Sequence, residues 1–313
     1  LVRVHKVGQH GRIQLPSGRP AALFVGDELI ICYGNRYAPN QFEAEVPRSL
    51  DACHLVAAGG VAAKCLSRHH KMRAPTAISP LGLLGDATGK VLNLRDFRLL
   101  TAPSSLSHPT PKIIAVAGTA MDSGKTTAAA SLIRGLTQGG HRAAGVKVTG
   151  TGSNNDTALM RDAGAIRVLD FVDAGFVSTY RVAPKDVERI FRTLLDHARA
   201  ADVDYIVVEV ADGLLQAETA ALLSSDTFID TIRGVIFCAG DAMGALAGVE
   251  WLERRGIPVL AISGLLTAAP LAAHEAHAAT KLPILGRDDL ARADIAVALE
   301  GTLGLQADVL EAR

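Results

Sequence analysis

The chain has 313 residues, 49% of them hydrophobic, and its 32 Lys and Arg residues balance its 32 Asp and Glu residues. This length leaves room for two domains, because single hydrophobic cores stop growing near about 250 to 300 residues. The even charge argues against nucleic acid or an anionic membrane as a partner, since broad binding of a polyanion needs clustered positive charge.

The sequence further predicts a cytoplasmic protein with reduced thiols. No apolar stretch approaches the roughly 20 residues needed to span a bilayer, and the opening LVRVHKVGQHG lacks the apolar core of a signal peptide. The four cysteines form no CxxC pair and no small disulfide framework.

The first hundred residues are predicted to form a small β-rich domain of unknown role. Short strand-like segments such as RIQL, AALFV and ELIICY alternate with turn-rich stretches. The following segment, TAPSSLSHPTPK, is rich in proline and serine, which hold a chain extended and offer little to bury. We therefore place domain 1 at residues 1–100, a linker at 101–111 and domain 2 at 112–313.

Domain 2 alternates short apolar runs with longer helical patterns. The runs are IIAVA, AAGVKV, YIVVEV, GVIFCA and IPVLAIS, which are apolar almost throughout, as in parallel strands buried on both faces. Pro184–Ala200 and Asp241–Arg255 are candidate helices, the second ending at Gly256. The predicted fold class is α/β, with a mostly parallel sheet covered by helices on both faces and preceded by the smaller β-rich domain.

A glycine-bounded segment, GTAMDSGKTT at residues 118–127, follows the first apolar run and precedes a helical pattern. Ser123 and Gly124 are small enough for the backbone to wrap closely, so that successive N–H groups point at a phosphate. Lys125 supplies a cation for the β- and γ-phosphates, and Thr126 supplies the hydroxyl expected on Mg²⁺. The segment therefore predicts the phosphate loop of a P-loop NTPase that binds ATP or GTP with Mg²⁺.

This loop supplies all the residues that we expect to contact the nucleotide. They are Gly118, Thr119, Asp122, Ser123, Gly124, Lys125, Thr126 and Thr127. The spacing departs from the strict G-x-x-x-x-G-K-[ST] pattern, because Gly118 lies one residue too early. A Gly-Lys-Thr sequence can also merely cap a helix, but the strand and helix patterns on either side favour nucleotide binding. A second Gly-Lys, in ATGKVL around Lys90, has no such frame and predicts a turn.

The loop GTAMDSGKT resembles that of dethiobiotin synthetases and their relatives, and the resemblance covers about residues 112–286. GVKVTGTG is similar to the second strand of that family and brings in Lys147 and Thr151. NNDTALMRDAGA places Asp156, and YIVVEVADG places Glu209, at the two acidic metal positions of the family. The resemblance implies catalytic roles for Lys125, Lys147 and Thr151, and a Mg²⁺ site at Thr126, Asp156 and Glu209.

The same resemblance implies ligase- or kinase-like chemistry, in which phosphoryl transfer from ATP activates a small-molecule carboxylate or carbamate. We also expect a homodimer. Ala120 and Met121 stand where the family carries Asp and Thr, so the resemblance does not extend to the substrate pocket.

Structural alternatives remain for two of these residues. Lys147 could simply reach solvent from a strand end, and Asp156 could be the N-cap of a helix. Glu209 ends a buried-looking run, where a carboxylate needs a cation beside it.

A second resemblance, carried by Lys147, Asp156 and MRDAGA, is to the GTP-binding accessory protein of molybdopterin guanine dinucleotide synthesis. The chain has no Asn-Lys-x-Asp sequence for guanine. Two further functions therefore stay open, a nucleotide-binding accessory protein and a nucleotide-gated regulator.

Overall fold

The computed structural model describes residues 1–100 and 110–302, so most of the predicted linker lies outside the described residues. The chain forms two compact units. The first comprises Leu1–Leu100 together with Gly150–Ala158 and Phe171–Val182, two segments that the sequence assigned to domain 2. The second comprises the other described residues, 110–149, Leu159–Asp170 and 183–302.

The first unit is β-rich, as predicted. Its strands are β1 (Val2–Lys6), β2 (Arg12–Gln14), β3 (Pro20–Ala22), β4 (Glu28–Leu29), β5 (Cys32–Tyr33), β6 (Arg36–Tyr37), β7 (Phe42–Glu45), β8 (Cys53–Ala57), β9 (Val61–Arg68) and β10 (Thr76–Pro80). Strands β2 and β3 form a separate hairpin, while the other eight form one sheet in the order β4-β1-β10-β8-β9-β7-β6, with β5 paired to β9. Neighbours along this order are antiparallel. A 3₁₀ helix, Leu94–Phe97, follows the sheet.

Alternating burial explains how β1 packs. Val2 and Val4 are buried in the core, whereas Arg3 and His5 between and after them are exposed. This period of two is expected of a strand with one face on a core and the other in water. Ile78 of the adjacent strand β10 and Leu55 of β8, the next strand in the sheet, belong to the same core.

The second unit alternates strands and helices along the chain. Its elements are β11 (Lys112–Gly118), α1 (Lys125–Gln138), β12 (Ala143–Lys147), β13 (Arg167–Asp170), α3 (Pro184–Arg199), β14 (Tyr205–Glu209), α4 (Ala217–Leu223), α5 (Asp226–Ile229), β15 (Gly234–Cys238), α6 (Ala242–Glu253), β16 (Val259–Ser263), a 3₁₀ helix (Leu265–Ala268), α7 (Pro270–Thr280) and α8 (Arg287–Leu290). Helix α2 (Asn154–Asp162) begins in the first unit and ends in the second. The six strands form one parallel sheet in the order β13-β12-β14-β11-β15-β16.

Continuous apolar burial defines this sheet. Every residue of β12, β14, β15 and β16 is buried, because helices flank the strands: α1 packs against β11, β12, β14 and β15, and α3 packs against β12, β13 and β14. Helix α3 buries Val187, Ile190 and Leu194, which recur at helical spacing. The predicted fold class is thus confirmed, although the short strand β13 was not predicted.

Among the described residues, no helix combines the length and the apolarity needed to cross a bilayer. All four cysteines are free thiols. The cytoplasmic location stays a prediction.

Candidate functional site

The segment between β11 and α1 forms a tight loop held by its own backbone and by neighbouring strand ends. Thr119 N–H donates to Cys238 O at 3.0 Å, where β15 ends, and Leu265 N–H donates to Ser123 O at 3.2 Å. Helix α1 begins directly at Lys125, so its N-terminal N–H groups face the loop. This strand-loop-helix geometry can cradle a phosphate group.

Two positions of this loop require glycine, one because of its backbone conformation and one because of close packing. Gly124 has a φ of 99°, in the left-handed region that favours glycine. A Cβ on Gly118 would lie 2.4 Å from Ser123 Oγ and 2.7 Å from Cys238 O, so no larger residue fits there. The glycine that opens the loop early in the sequence is therefore required by its packing against Ser123 and β15.

Lys125 is almost completely buried, at 5% exposure. Its Nζ donates to Ala120 O at 2.7 Å, within the loop itself. Burial lowers the pKa of Lys125, while the carboxylates of Glu209 and Asp212 act in the opposite direction. A buried ammonium in a loop of backbone N–H groups gives this place a positive potential that suits a phosphate anion.

Glu209, the last residue of β14, lies at the base of the loop and is 1% exposed. Its Oε1 accepts a hydrogen bond from Thr126 Oγ1 at 2.9 Å and lies 3.5 Å from Lys147 Nζ. Its Oε2 is buried and has no hydrogen-bond partner among the described residues. A buried carboxylate oxygen without a partner is costly, so Glu209 fits a site that receives a cation.

The donor set beside the loop is made of oxygen atoms, from one hydroxyl and one carboxylate. Hard cations such as Mg²⁺ prefer oxygen ligands and keep several waters or phosphate oxygens. Within residues 1–100 and 110–302 no group of three or more His, Cys, Asp or Glu side chains could hold a metal ion. Thr126 and Glu209 thus fit a Mg²⁺ ion that takes further ligands from a nucleotide.

Lys147 is the last residue of β12 and is 7% exposed, so it does not reach freely into solvent. It lies in register with Glu209 on one neighbouring strand and with Asp170 on the other. The interpretation of Lys147 as a solvent-exposed strand end is therefore wrong, because the side chain is buried beside a carboxylate.

The predicted site residues fall into two groups. The loop at 118–127, Lys147 and Glu209 come together in the second unit, whereas Thr151 and Asp156 belong to the first. Thr151 forms a β-bridge with Ser178 of that unit. Helix α2 begins at Asn154, so Asp156 lies in the first helical turn and is not the N-cap. The roles of Thr151 and Asp156 stay predictions.

The sequence did not predict that two further glycines pack against the backbone of the loop. A Cβ on Gly264, where φ is 96°, would lie 2.3 Å from Ser123 O. A Cβ on Gly213 would lie 2.3 Å from Thr119 O. Gly264 follows β16 directly and Gly213 follows β14 by four residues. Their places after predicted strands were the only sequence features that pointed to them.

Comparison with known proteins places residues 114–285, more than half of the chain, in the CbiA family, described as the CobQ/CobB/MinD/ParA nucleotide binding domain. A comparison with curated proteins found no match.

Among solved structures, the chain is similar to the signal recognition particle 54 kDa protein of Aeropyrum pernix K1 in complex with GDP, at 19% identity and a TM-score of 0.42, over 67% of this chain and 52% of that one. It is also similar to the signal recognition particle receptor FtsY of Elizabethkingia anophelis in complex with GDP, at 13% identity and a TM-score of 0.43, over 61% of each chain. Both matches span less than two thirds of those chains, and at these scores they support no conclusion about ligand or partner.

Proposed function

The chain belongs to the CbiA family of nucleotide-binding domains, and from this membership we propose that it is a Mg²⁺-dependent enzyme that transfers the γ-phosphoryl group of ATP to a small-molecule carboxylate or carbamate. The observation that carries the proposal is Glu209, which binds Thr126 and Lys147 through Oε1 while its buried Oε2 has no partner among the described residues. A phosphate loop and a carboxylate suited to a cation support phosphoryl transfer, and the second buried lysine adds positive charge on the side where an acceptor would bind.

Binding of the nucleotide is assigned to the loop and to Lys125. The N–H groups at the start of α1 and the ammonium of Lys125 would face the phosphates. Because Lys125 Nζ already bonds to Ala120 O, a phosphate oxygen would share or replace that carbonyl as acceptor. The base of the nucleotide could be adenine or guanine, and we favour adenine because the chain has no Asn-Lys-x-Asp sequence.

In the proposed transfer, an ionised acceptor oxygen attacks the γ-phosphorus and forms a new O–P bond. The bond from the γ-phosphorus to the β–γ bridging oxygen breaks, and its electron pair leaves with the nucleoside diphosphate. No proton is needed for a carboxylate acceptor, so the protein supplies position and positive charge rather than a nucleophile. Lys125 and Lys147 would stabilise the negative charge that develops on the phosphate oxygens.

The cation would be held by Thr126 and Glu209. A metal role for Asp156 is implied by the resemblance to dethiobiotin synthetases alone. Mg²⁺ bound there would neutralise charge on the phosphates and orient them. The catalytic role of Thr151 likewise rests on that resemblance alone.

A homodimer forms part of the proposal. Three exposed apolar side chains lie at, or within two residues of, positions that contact the loop: Leu215, Met243 and Leu265 are 90%, 74% and 58% exposed. Gly213 and Gly244 lie beside Thr119 and Leu265 N–H donates to Ser123 O, and exposed apolar side chains that share one surface commonly mark an interaction site. Light scattering with and without nucleotide tests whether a second copy covers this surface.

A two-stage ligand screen tests the proposed function. The first stage measures the melting temperature with ATP, GTP and their diphosphates, with and without Mg²⁺, because a ligand that binds only the native state raises stability by mass action. The second adds small carboxylates, or amines with bicarbonate, and measures release of nucleoside diphosphate and capture of an acyl phosphate by hydroxylamine. We expect one acceptor to stimulate turnover.

Two other outcomes would favour the alternatives. Slow hydrolysis that only a protein partner accelerates would indicate an accessory protein for cofactor synthesis, such as the molybdopterin type. Nucleotide binding that changes the exposure of the first unit without turnover would indicate a nucleotide-gated regulator.

A further inference from the structure

Three neighbouring strands of the second unit each end on a charged residue. Strand β13 ends at Asp170, β12 at Lys147 and β14 at Glu209. Lys147 is in register with both Asp170 and Glu209. Because in-register residues of parallel strands project to the same face of a sheet, the three side chains form one row of acid, base and acid.

All members of this row are shielded from water. Asp170 is 9% exposed, Lys147 is 7% exposed and Glu209 is 1% exposed. Charges in such surroundings interact strongly, since little solvent screens them. The formal charge of the row is therefore −1, and it would be zero without Asp170.

Glu209 has two competing uses within the proposed function. Its Oε1 lies 3.5 Å from the ammonium of Lys147, and the same carboxylate would bind Mg²⁺. A lysine that neutralised Glu209 alone would weaken the attraction of that carboxylate for a divalent cation. A second carboxylate beside Lys147 would share its positive charge and leave Glu209 more able to attract the cation.

We propose that Asp170 is a positioning residue that shares the ammonium of Lys147 and so keeps Glu209 available for the divalent cation. This inference rests on the proposed function and deepens it. Asp170 acts through Lys147 and needs no contact with the cation or the nucleotide.

The test is the Mg²⁺ concentration that gives half of the maximal ATP binding, measured by calorimetry on the full chain. For Asp170→Asn we expect this concentration to rise about tenfold, the lower end of what is seen when residues that orient metal ligands are replaced. ATP affinity in EDTA and the melting temperature without ligand should stay near wild type. Asp170→Glu, which keeps the charge, should restore most of the Mg²⁺ response, and Asp196→Asn, an exposed carboxylate on α3, is the charge-matched control.

A second pair of variants shows whether Asp170 acts through Lys147. Lys147→Met alone should lower the half-saturating Mg²⁺ concentration several-fold, because no ammonium competes for Glu209. In that background Asp170→Asn should change the Mg²⁺ response much less than it does in the wild type. This pair keeps the proposal testable even if Asp170→Asn alone lowers the melting temperature.

The outcomes separate the two levels of the argument. A wild-type chain that binds no nucleotide in a Mg²⁺-dependent way would overturn the proposed function together with the role of Asp170. A normal wild-type response that Asp170→Asn leaves unchanged, or shifts equally with and without Lys147, would overturn the role of Asp170 alone.

Discussion

Charge is buried beside the phosphate loop of the second unit, whereas the ion pair between strands β1 and β4 of the first unit is exposed. Lys125, Lys147 and Glu209 are at most 7% exposed, whereas the pair Arg3–Glu28 of the first unit is nearly half exposed on both side chains. Burying ions costs several kcal/mol each, roughly, unless partners compensate for the lost water. Under the proposed function the buried set is kept for a ligand, and the exposed pair is expected to contribute little to the stability of the fold.

The largest effect is expected at the loop. Lys125→Ala should abolish the rise in melting temperature with nucleotide, with affinity reduced at least about a hundredfold, because under the proposed function this buried cation would face the phosphates. The unliganded fold should persist, since the ammonium is not part of the apolar core. Lys90→Ala is the matched control, because Lys90 also follows a glycine but lies exposed beside Asp96 at 3.3 Å. Equal nucleotide responses in the two variants would contradict the assignment.

The next effect separates binding from turnover. Lys147→Met keeps the apolar stem, so nucleotide affinity at saturating Mg²⁺ should stay near wild type while turnover falls by roughly two to three orders of magnitude, the scale seen when one charge-stabilising donor is removed. Steady-state rates and calorimetry on the same preparation measure both quantities. Parallel loss of rate and affinity would assign Lys147 to nucleotide binding, and an unchanged rate would favour a regulator.

A smaller effect is expected in the first unit, where pH should act through His10. Burial, followed by the nearby Arg36 guanidinium, lowers the pKa of His10 to about 4. Because the folded state favours the neutral ring, the stability that His10 contributes is fully present above its ordinary pKa near 6.5 and is lost as pH falls toward 4. The free energy of unfolding should therefore fall over this range by about 2 kcal/mol or less, since the ring is partly exposed.

Hydrogen exchange of strands β1 and β8 in wild type and His10→Gln measures this linkage. The variant should lose less protection than the wild type between pH 6.5 and 4. His5→Gln, which replaces an exposed histidine, is the control, and an equal change in both variants would show that His10 is not responsible.

The smallest effect is expected at the exposed pair. Glu28→Gln removes the ion pair in which Arg3 Nη2 lies 2.6 Å from Glu28 Oε1, and the free energy of unfolding should change by less than about 0.5 kcal/mol. Urea denaturation is sufficient to measure it. A loss above about 1.5 kcal/mol would mean that surface charge matters to the first unit as buried charge does to the second.

The sequence predicted the second unit well, because its strands are unbroken apolar runs with a recognisable loop. The predicted helix Pro184–Ala200 is observed as Pro184–Arg199, and YIVVEV is observed as Tyr205–Glu209. Strand Arg167–Asp170 was missed since four residues carry too little pattern, and Asp170 was missed with it.

The first unit shows what pattern alone cannot supply. Its central strands, Cys53–Ala57 and Val61–Arg68, pair with each other and with distant segments, and such pairing is not visible in local composition. Gln14 Nε2 donates to Asn155 Oδ1 at 2.7 Å, and Asn154 N–H donates to Gln14 Oε1 at 2.9 Å. These contacts, about 140 residues apart in the chain, place the segment carrying Thr151 and Asp156 in the first unit.

The most direct test of the central claim is the Mg²⁺ dependence of ATP binding in Glu209→Gln. This variant keeps the shape of the side chain, the acceptor for Thr126 and the loop N–H groups, but it removes the charge that would attract the cation. We predict ATP affinity near wild type in EDTA and little or no gain when Mg²⁺ is added, whereas the wild-type chain should gain clearly. An equal gain from Mg²⁺ in both proteins would contradict the account and make Glu209 a structural partner of Lys147.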